Sequence, residues 1–263
     1  MKIDQGQRIY QKYKKKIPNG TQLLSKKPEI YLPNLWPSYY KKAKGCEITS
    51  IGKKKYLDCS NNSVGMCTLG YANNYVDQRV LEAMKNGNIC TLNSIDELKL
   101  TDKILKLHPW FESVRYSKSG GEAITIAIRI ARAYSGRDKV LFCGYHGWHD
   151  WYISSNLKKK NLDNHLLPMV PAKGVPKSLA GTAIPFEYNN FDDFKKKFLK
   201  NRNNLAAVIM EPTRSYMPDK GYLKKIRDLC SRNDVVFIFD EITSGWRENL
   251  GGIHKKFKIY PDI

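Results

Sequence analysis

Three short stretches carry side chains whose types and spacing could do chemistry together. VVFIFDEITSGWR, residues 235–247, runs through five apolar residues into Asp240 and Glu241. An unbroken β-branched and aromatic run is the pattern of a strand covered on both faces, as in parallel sheets. The acids then fall at its carboxyl end, the edge at which open α/β sheets bind ligands. Alone, Asp240 would read as a cap or an ion-pair partner; company is what turns it into a site. YSKSGGEA, residues 116–123, is a small-residue turn opening into a helix. The amide groups of Gly120 and Gly121, with the Ser119 hydroxyl, would make a cradle for a phosphate. Its spacing is neither GxxxxGK[ST] nor GxGxxG, so no nucleotide is implied. FCGYHGWHDWY, residues 142–152, follows another apolar run, and Tyr145 offers a ring face for a planar ligand. His146, His149 and Asp150 lack a further ligand at a recognisable metal spacing, and Ser119 lacks the GxSxG elbow of a hydrolase. Glu211, in VIMEP, adds a carboxylate at the end of a companion strand.

An alternation of helix and strand must position these residues. CEITSIGKKKYLDCS reads as two short strands turning at Gly52, and NNYVDQRVLEAMKNG as a helix with Val76, Val80, Leu81 and Met84 on one face, ending at Gly87. SIDELKLTDKILKLHP opens with Ser94 and Glu97 in capping-box spacing and stops before Pro109. Beyond it come a helix over GGEAITIAIRIARAYSGR, a strand over KVLFCGY, a helix over DDFKKKFLKN, a strand over LAAVIMEP, a helix over KGYLKKIRDLCSRND, and the strand VVFIFDE. Such alternation with very apolar strands predicts an α/β fold, a mainly parallel sheet with helices on both faces. Residues 1–45, punctuated by Pro18, Pro28, Pro33 and Pro37, are expected to form an arm, and residues 46–263 the main domain.

With 263 residues the chain can bury a substantial core. Its 45 Lys+Arg against 25 Asp+Glu give a formal net charge of +20, which could mean a polyanionic partner. The lysines, however, are spread in short groups such as Lys14 to Lys16 and Lys195 to Lys197, with no nucleic-acid-binding motif, so a solvated basic surface is the better reading. The six cysteines show no CxxC and no paired spacing, and read as reduced, mostly buried thiols. Neither a signal-peptide core nor an apolar run of membrane-spanning length is present, and a cytoplasmic location without membrane contact is expected.

A phosphate cradle, an aromatic plate and a buried carboxylate, in that chain order, are the requirements of pyridoxal 5'-phosphate (PLP): the acid keeps the pyridine nitrogen protonated so that the ring can accept electrons. From about residue 30 onward the chain resembles the class III PLP aminotransferases, in the branch containing glutamate-1-semialdehyde 2,1-aminomutase. The resemblance is carried by YLDCSNNSVGMCTLGY, VRYSKSGGEAITIAIRIARAYSGRDKV, FCGYHGWHDW, MEP, FDEITSGWR and GGIHKKFKIYPDI, all in order. It implies the fold type I of PLP-dependent transferases, with an incomplete large domain and without the C-terminal small domain. It further implies that Ser119, Gly120 and Gly121 hold the phosphate and that Tyr145 stacks on the ring with His146 beside it. Asp240 would bind the ring nitrogen, Ile242 would pack on the other face, and Glu211 would lie near cofactor or substrate. Where the family usually has Ser-Gly-Thr, Gly121 keeps the amide donor and loses a hydroxyl.

Two departures accompany the resemblance. The family's Schiff-base lysine would fall about five residues beyond Ile263, so the chain reads as a C-terminally truncated piece, inactive by itself, of a longer enzyme. Lys118, in the turn before the cradle, is poorly placed to substitute. IPNG, residues 17–20, resembles the aminomutase start, and counting on from it puts Lys26 where that enzyme carries an Arg for the substrate carboxylate; a lysine lacks the planar bidentate fork. The function implied for the full-length protein is amino-group transfer, as an aminotransferase or a 2,1-aminomutase, on a small-molecule amino donor or acceptor, by a homodimer. The rival reading is a non-catalytic protein that binds PLP or, through its basic surface, nucleic acid.

Overall fold

The computed structural model describes residues 4–60, 65–87, 89–165 and 170–263, so residues 61–64 of the CSNNSVGM stretch lie outside the described residues. The chain divides into two units, Met1–Asn93 and Ser94–Ile263.

In the first unit, α1 (Gln5–Tyr13) starts at Asp4, whose carboxylate caps Gly6 N–H, and buries Tyr10. The Tyr10 hydroxyl donates to Glu29 Oε2 at 2.9 Å, on α2 (Pro28–Tyr31), and Lys14 pairs with the same carboxylate. This network gives the Pro-punctuated arm a fixed shape: Lys14 holds the Glu29 carboxyl down at about 2, while burial, with Glu29 beside it, pushes the Tyr10 hydroxyl up to about 12. The sheet β1 (Tyr40–Lys44), β2 (Glu47–Ser50) and β3 (Lys55–Leu57) is antiparallel in that order. The expected hairpin is β2 and β3; β1, which precedes residue 46, pairs with β2. Helix α3 (Asn74–Lys85) forms as expected, capped by Asn73, but Val76, Val80, Leu81 and Met84 on its apolar face are all exposed.

The second unit is built on a four-stranded parallel sheet in the order β5 (Ala183–Pro185), β4 (Lys139–Cys143), β6 (Leu205–Met210), β7 (Val236–Phe239). Alternate residues of each strand feed opposite cores. On one side Leu141, Cys143, Val208, Met210, Phe237 and Phe239 pack with Phe194 and Phe198 of α7 (Phe191–Asn201) and with Leu223, Ile226 and Cys230 of α8 (Tyr222–Arg232). On the other, Val140, Phe142, Ala207, Ile209 and Ile238 pack against Ile124, Ala127, Ile128 and Ala131 of α5 (Gly120–Ser135), joined by Trp151 to Ile153 of the short α6 (Asp150–Ile153). Each fully buried Phe or Ile contributes roughly 1.5–3 kcal/mol through loss of apolar surface from water, and two-sided burial explains why these strands carry no polar alternation. Helix α4 (Ile95–Leu107) precedes this sheet, and α9 (His254–Phe257) follows β7.

Two local expectations are corrected and one strand is added. At α4 the Ser94 hydroxyl accepts from Asp96 N–H and the reciprocal box with Glu97 does not form; the closed capping box belongs to Ser119 and Glu122 at α5. Strand β5 was not legible, because AIP is three residues long and ends in proline. Cys46, Cys59 and Cys90 are exposed and only Cys143 and Cys230 are buried, because the first unit's short strands and loops offer few fully enclosed positions. Among the described residues no helix is long and apolar enough to cross a membrane.

Candidate cofactor site

All the chemistry-bearing stretches of the second unit meet at the carboxyl edge of the parallel sheet. Asp240 follows β7 directly, and its N–H donates to Met210 O at 2.9 Å, so the carboxylate is delivered by an extension of the β6–β7 ladder. It is 3% exposed. His146 Nδ1 lies 2.7 Å from Asp240 Oδ2, and Ile242 N–H donates to Oδ1 at 3.1 Å. Against a carboxylate acceptor the imidazole proton belongs on Nδ1. His146 Nε2 is then buried with no hydrogen-bond partner among the described residues, and the ring is stacked on Trp151 with centroids 6.2 Å apart. A carboxylate has about four lone-pair directions, so the two donors on Asp240 leave capacity for another.

Gly120 opens α5 beside the side chain of Ile242, two residues beyond Asp240. A Cβ on Gly120 would run into the Ile242 side chain, and one on Gly121 would lie 2.9 Å from the His149 ring, so glycine at both places lets the helix start approach the Asp240 loop and the turn after β4. The first-turn N–H groups of a helix have no intrahelical acceptor. Glu122 N–H is taken by the Ser119 oxygen at 3.3 Å, whereas the Gly120 and Gly121 N–H groups have no acceptor among the described residues. Ser119 is exposed, and its oxygen serves first as the cap of its own helix, a role the sequence reading had not assigned.

Tyr145 is half-buried, and its N–H donates to Glu211 Oε2 at 3.1 Å. The residue before it, Gly144, has φ +120, and a Cβ there would collide with the Glu211 carboxylate. Glycine thus permits the contact that ties β6 to the aromatic turn. Burial pushes the Glu211 carboxyl above its ordinary range, against the lowering effect of the Tyr145 N–H. Burial likewise raises the Tyr145 hydroxyl, and the Asp240 charge adds to it.

Residues outside the sequence reading clamp the same turn. His165 Nδ1 accepts from Gly144 N–H at 3.2 Å, and the Tyr152 hydroxyl donates to Gly144 O at 2.7 Å. Burial, with the Arg214 charge, drives the His165 imidazole down to about 4. Arg214 Nε lies 3.4 Å from Glu211 Oε2. On the next loop Glu241 accepts from His254 Nδ1 at 2.7 Å and from the Ile253 and His254 amides, fixing the chain after Asp240. No motif announces His165 or Arg214; Tyr152 and His254 lay within stretches already singled out but had no assigned role.

The parallel sheet of the second unit, with its helices on both faces, has the fold of solved transaminases. A solved transaminase with PLP bound superposes with a TM-score of 0.84 at 22% identity, covering 100% of this chain and 60% of that one. The family model for aminotransferase class-III matches residues 33–263, and the chain belongs to that family. It is 30% identical over 272 residues to the 3-aminobutyryl-CoA aminotransferase of Cloacimonas acidaminovorans (strain Evry), covering 100% of this chain and 61% of that protein. It is 34% identical over 267 residues to the glutamate-1-semialdehyde 2,1-aminomutase of Wigglesworthia glossinidia brevipalpis, covering 97% of this chain and 59% of that protein. The chain therefore spans about 60% of the length of the curated relatives it matches. Relatives of this kind are enzymes, and they lend no support to a non-catalytic or nucleic-acid-binding protein.

Proposed function

We propose that this chain carries the PLP-binding part of an enzyme that transfers amino groups, between two molecules or within one. The observation that carries the reading is the buried Asp240, held by His146 at 2.7 Å, with Ile242, two residues on, packed against a helix start whose Gly120 and Gly121 amides lack intrahelical acceptors. Those amides, with the Ser119 hydroxyl proton, would hold the phosphate, while the Tyr145 ring and the Ile242 side chain would flank the pyridine ring. Asp240 would keep a proton on the ring nitrogen, and His146 would hold the carboxylate in the orientation that this requires. Glu211 would border the cofactor through its bond to the Tyr145 amide. Bound there, PLP supplies an electron-accepting ring for amino-group chemistry.

A cytoplasmic homodimer acting on a small-molecule amino donor or acceptor completes the proposal. Its support on the assembly side is the apolar face of α3, where Val80, Leu81 and Met84 are each more than half exposed in the single chain.

Equilibrium dialysis with PLP and with pyridoxamine phosphate tests the cofactor reading. Saturable binding is expected, weakened about tenfold or more by Asp240→Asn, which preserves the shape and the bond from Ile242 N–H but removes the charge. Absence of saturable binding, or undiminished binding by Asp240→Asn, would sink it.

A further inference from the structure

His108, away from the cofactor site, holds more acceptors than a neutral imidazole can serve. It ends α4 and is 7% exposed, and both ring nitrogens meet backbone carbonyls: Nδ1 lies 2.8 Å from Ile104 O and Nε2 lies 2.8 Å from Gly251 O. A carbonyl oxygen only accepts, whereas a neutral imidazole carries one N–H and one lone pair. Two contacts of this length call for two N–H groups, which is the imidazolium. The end of a helix suits that charge, because its last carbonyls carry the negative pole of the helix dipole.

The second contact reaches 143 positions along the chain, to the loop that starts directly after Asp240. Gly251 has φ +96, and a Cβ there would lie 3.2 Å from His108 Nε2, so glycine lets its carbonyl approach the ring. At Gly252 a Cβ would collide with the Glu241 carboxylate, which accepts from the Ile253 and His254 amides. The loop is thus closed on Glu241, the neighbour of Asp240, and is tied to α4 through His108.

The groups around the ring decide where the charge sits. From α9, the His254 ring lies 5.4 Å from that of His108, centroid to centroid, and Lys255 Nζ donates to Leu107 O at 3.2 Å. His254 Nδ1 is 2.7 Å from Glu241 Oε1, and its Nε2 is buried with no hydrogen-bond partner among the described residues. A second proton on His254 would leave a buried, unpaired cationic N–H, so His254 stays neutral and the positive charge of the pair belongs to His108. Trp110, Phe111 and Trp246 supply uncharged rings around it.

We propose that the His108 imidazolium is a positioning residue that fastens the loop between Glu241 and His254 to the end of α4, and that it releases Gly251 on losing a proton as pH rises. The Nδ1 contact lies within its own helix end, so the proton that remains stays there and the long-range contact is the one lost. The loop carries Ile242, so a consequence for the cofactor rests on the reading that Asp240 and Ile242 face PLP.

Two measurements on the chain without cofactor test this. Proton–nitrogen correlation spectra of the imidazoles at neutral pH should show both His108 nitrogens protonated; a neutral His108 would overturn the proposal. His108→Gln identifies the signals, and through-space contacts to Ile104 and Trp110 do so if that variant does not fold. Hydrogen exchange at the Gly252, Ile253 and His254 amides, corrected for its intrinsic rise with pH, should lose about tenfold protection in the wild type between about pH 6 and about pH 9. His108→Lys, a cation throughout that range, should keep its protection at the upper end, and His108→Gln should show the same weaker protection at both ends. Protection that is constant in the wild type, or that falls equally in all three proteins, would overturn the proposal. Because no cofactor is present, such a failure is observed separately from a failure of the dialysis with Asp240→Asn.

Discussion

Protonation of His165 should loosen the turn that carries Tyr145 and His146. Its Nδ1 accepts the Gly144 N–H at 3.2 Å, which requires an unprotonated nitrogen, and its ring packs on Phe142 with centroids 5.3 Å apart. The charges facing it are those of Arg214, His146 and Lys197, all of which oppose a further positive charge. The imidazole falls from 6.5 to about 4, burial being the largest cause. For a folded-state value below the unfolded one, the stabilisation is fully present above about 6.5 and is lost as pH falls toward about 4. At 1.36 kcal/mol per unit, the linkage integral between pH 7 and pH 5 is about 2 kcal/mol. Urea unfolding of the wild type and of His165→Asn, whose side-chain oxygen can accept the same N–H without taking up a proton, isolates this group from the other histidines. The variant starts lower at pH 7 because it loses the ring's packing. The wild type should nevertheless lose about 2 kcal/mol more than the variant on going to pH 5. Parallel pH dependences in the two proteins would refute the reasoning.

Gly144→Ala should destabilise by about 1–3 kcal/mol from the positive φ alone, and should also displace Glu211 from the Tyr145 amide. The denaturant midpoint reports the first effect; a midpoint equal to wild type would contradict the backbone geometry. In the first unit, Glu29→Gln should weaken the docking of α1 modestly and remove an acid-dependent component of stability. Glu29 is held down at about 2, chiefly by Lys14, so its contribution is present above about 4.5 and lost as pH falls through about 2. Proteolysis within the first thirty or so residues, compared at neutral and acid pH, should show a smaller pH response in the variant than in the wild type.

Much of the second unit was legible because its strands are buried on both faces. Val208 and Phe237 point to one core while Ile209 and Ile238 point to the other, so the sequence shows long apolar runs that only a covered parallel sheet accommodates. Helix limits were legible where chemistry marks them, as at Gly136, which adopts the left-handed cap after α5. Ser94 and Ser119 show the limit of such marks. Both stand three residues before a glutamate, yet only Ser119 closes the box, and the spacing alone does not distinguish them. The helix start at Gly120 and Gly121 and the strand end at Asp240 were legible because both are local patterns.

What the sequence determined by itself was therefore the order of the longer helices and the buried strands β4, β6 and β7, the placing of Asp240 at the end of a buried strand, and the family, since all of these reside in contiguous residues. Tertiary structure decided who touches whom. His146 and Asp240 are 94 positions apart, Tyr145 and Glu211 66, and Gly144 and His165 21. Period and propensity record a residue's own segment, and side chains meeting across strand ends leave no trace in either. For that reason the clamp of His165 and Tyr152 on Gly144 became visible only when the fold brought their loops together.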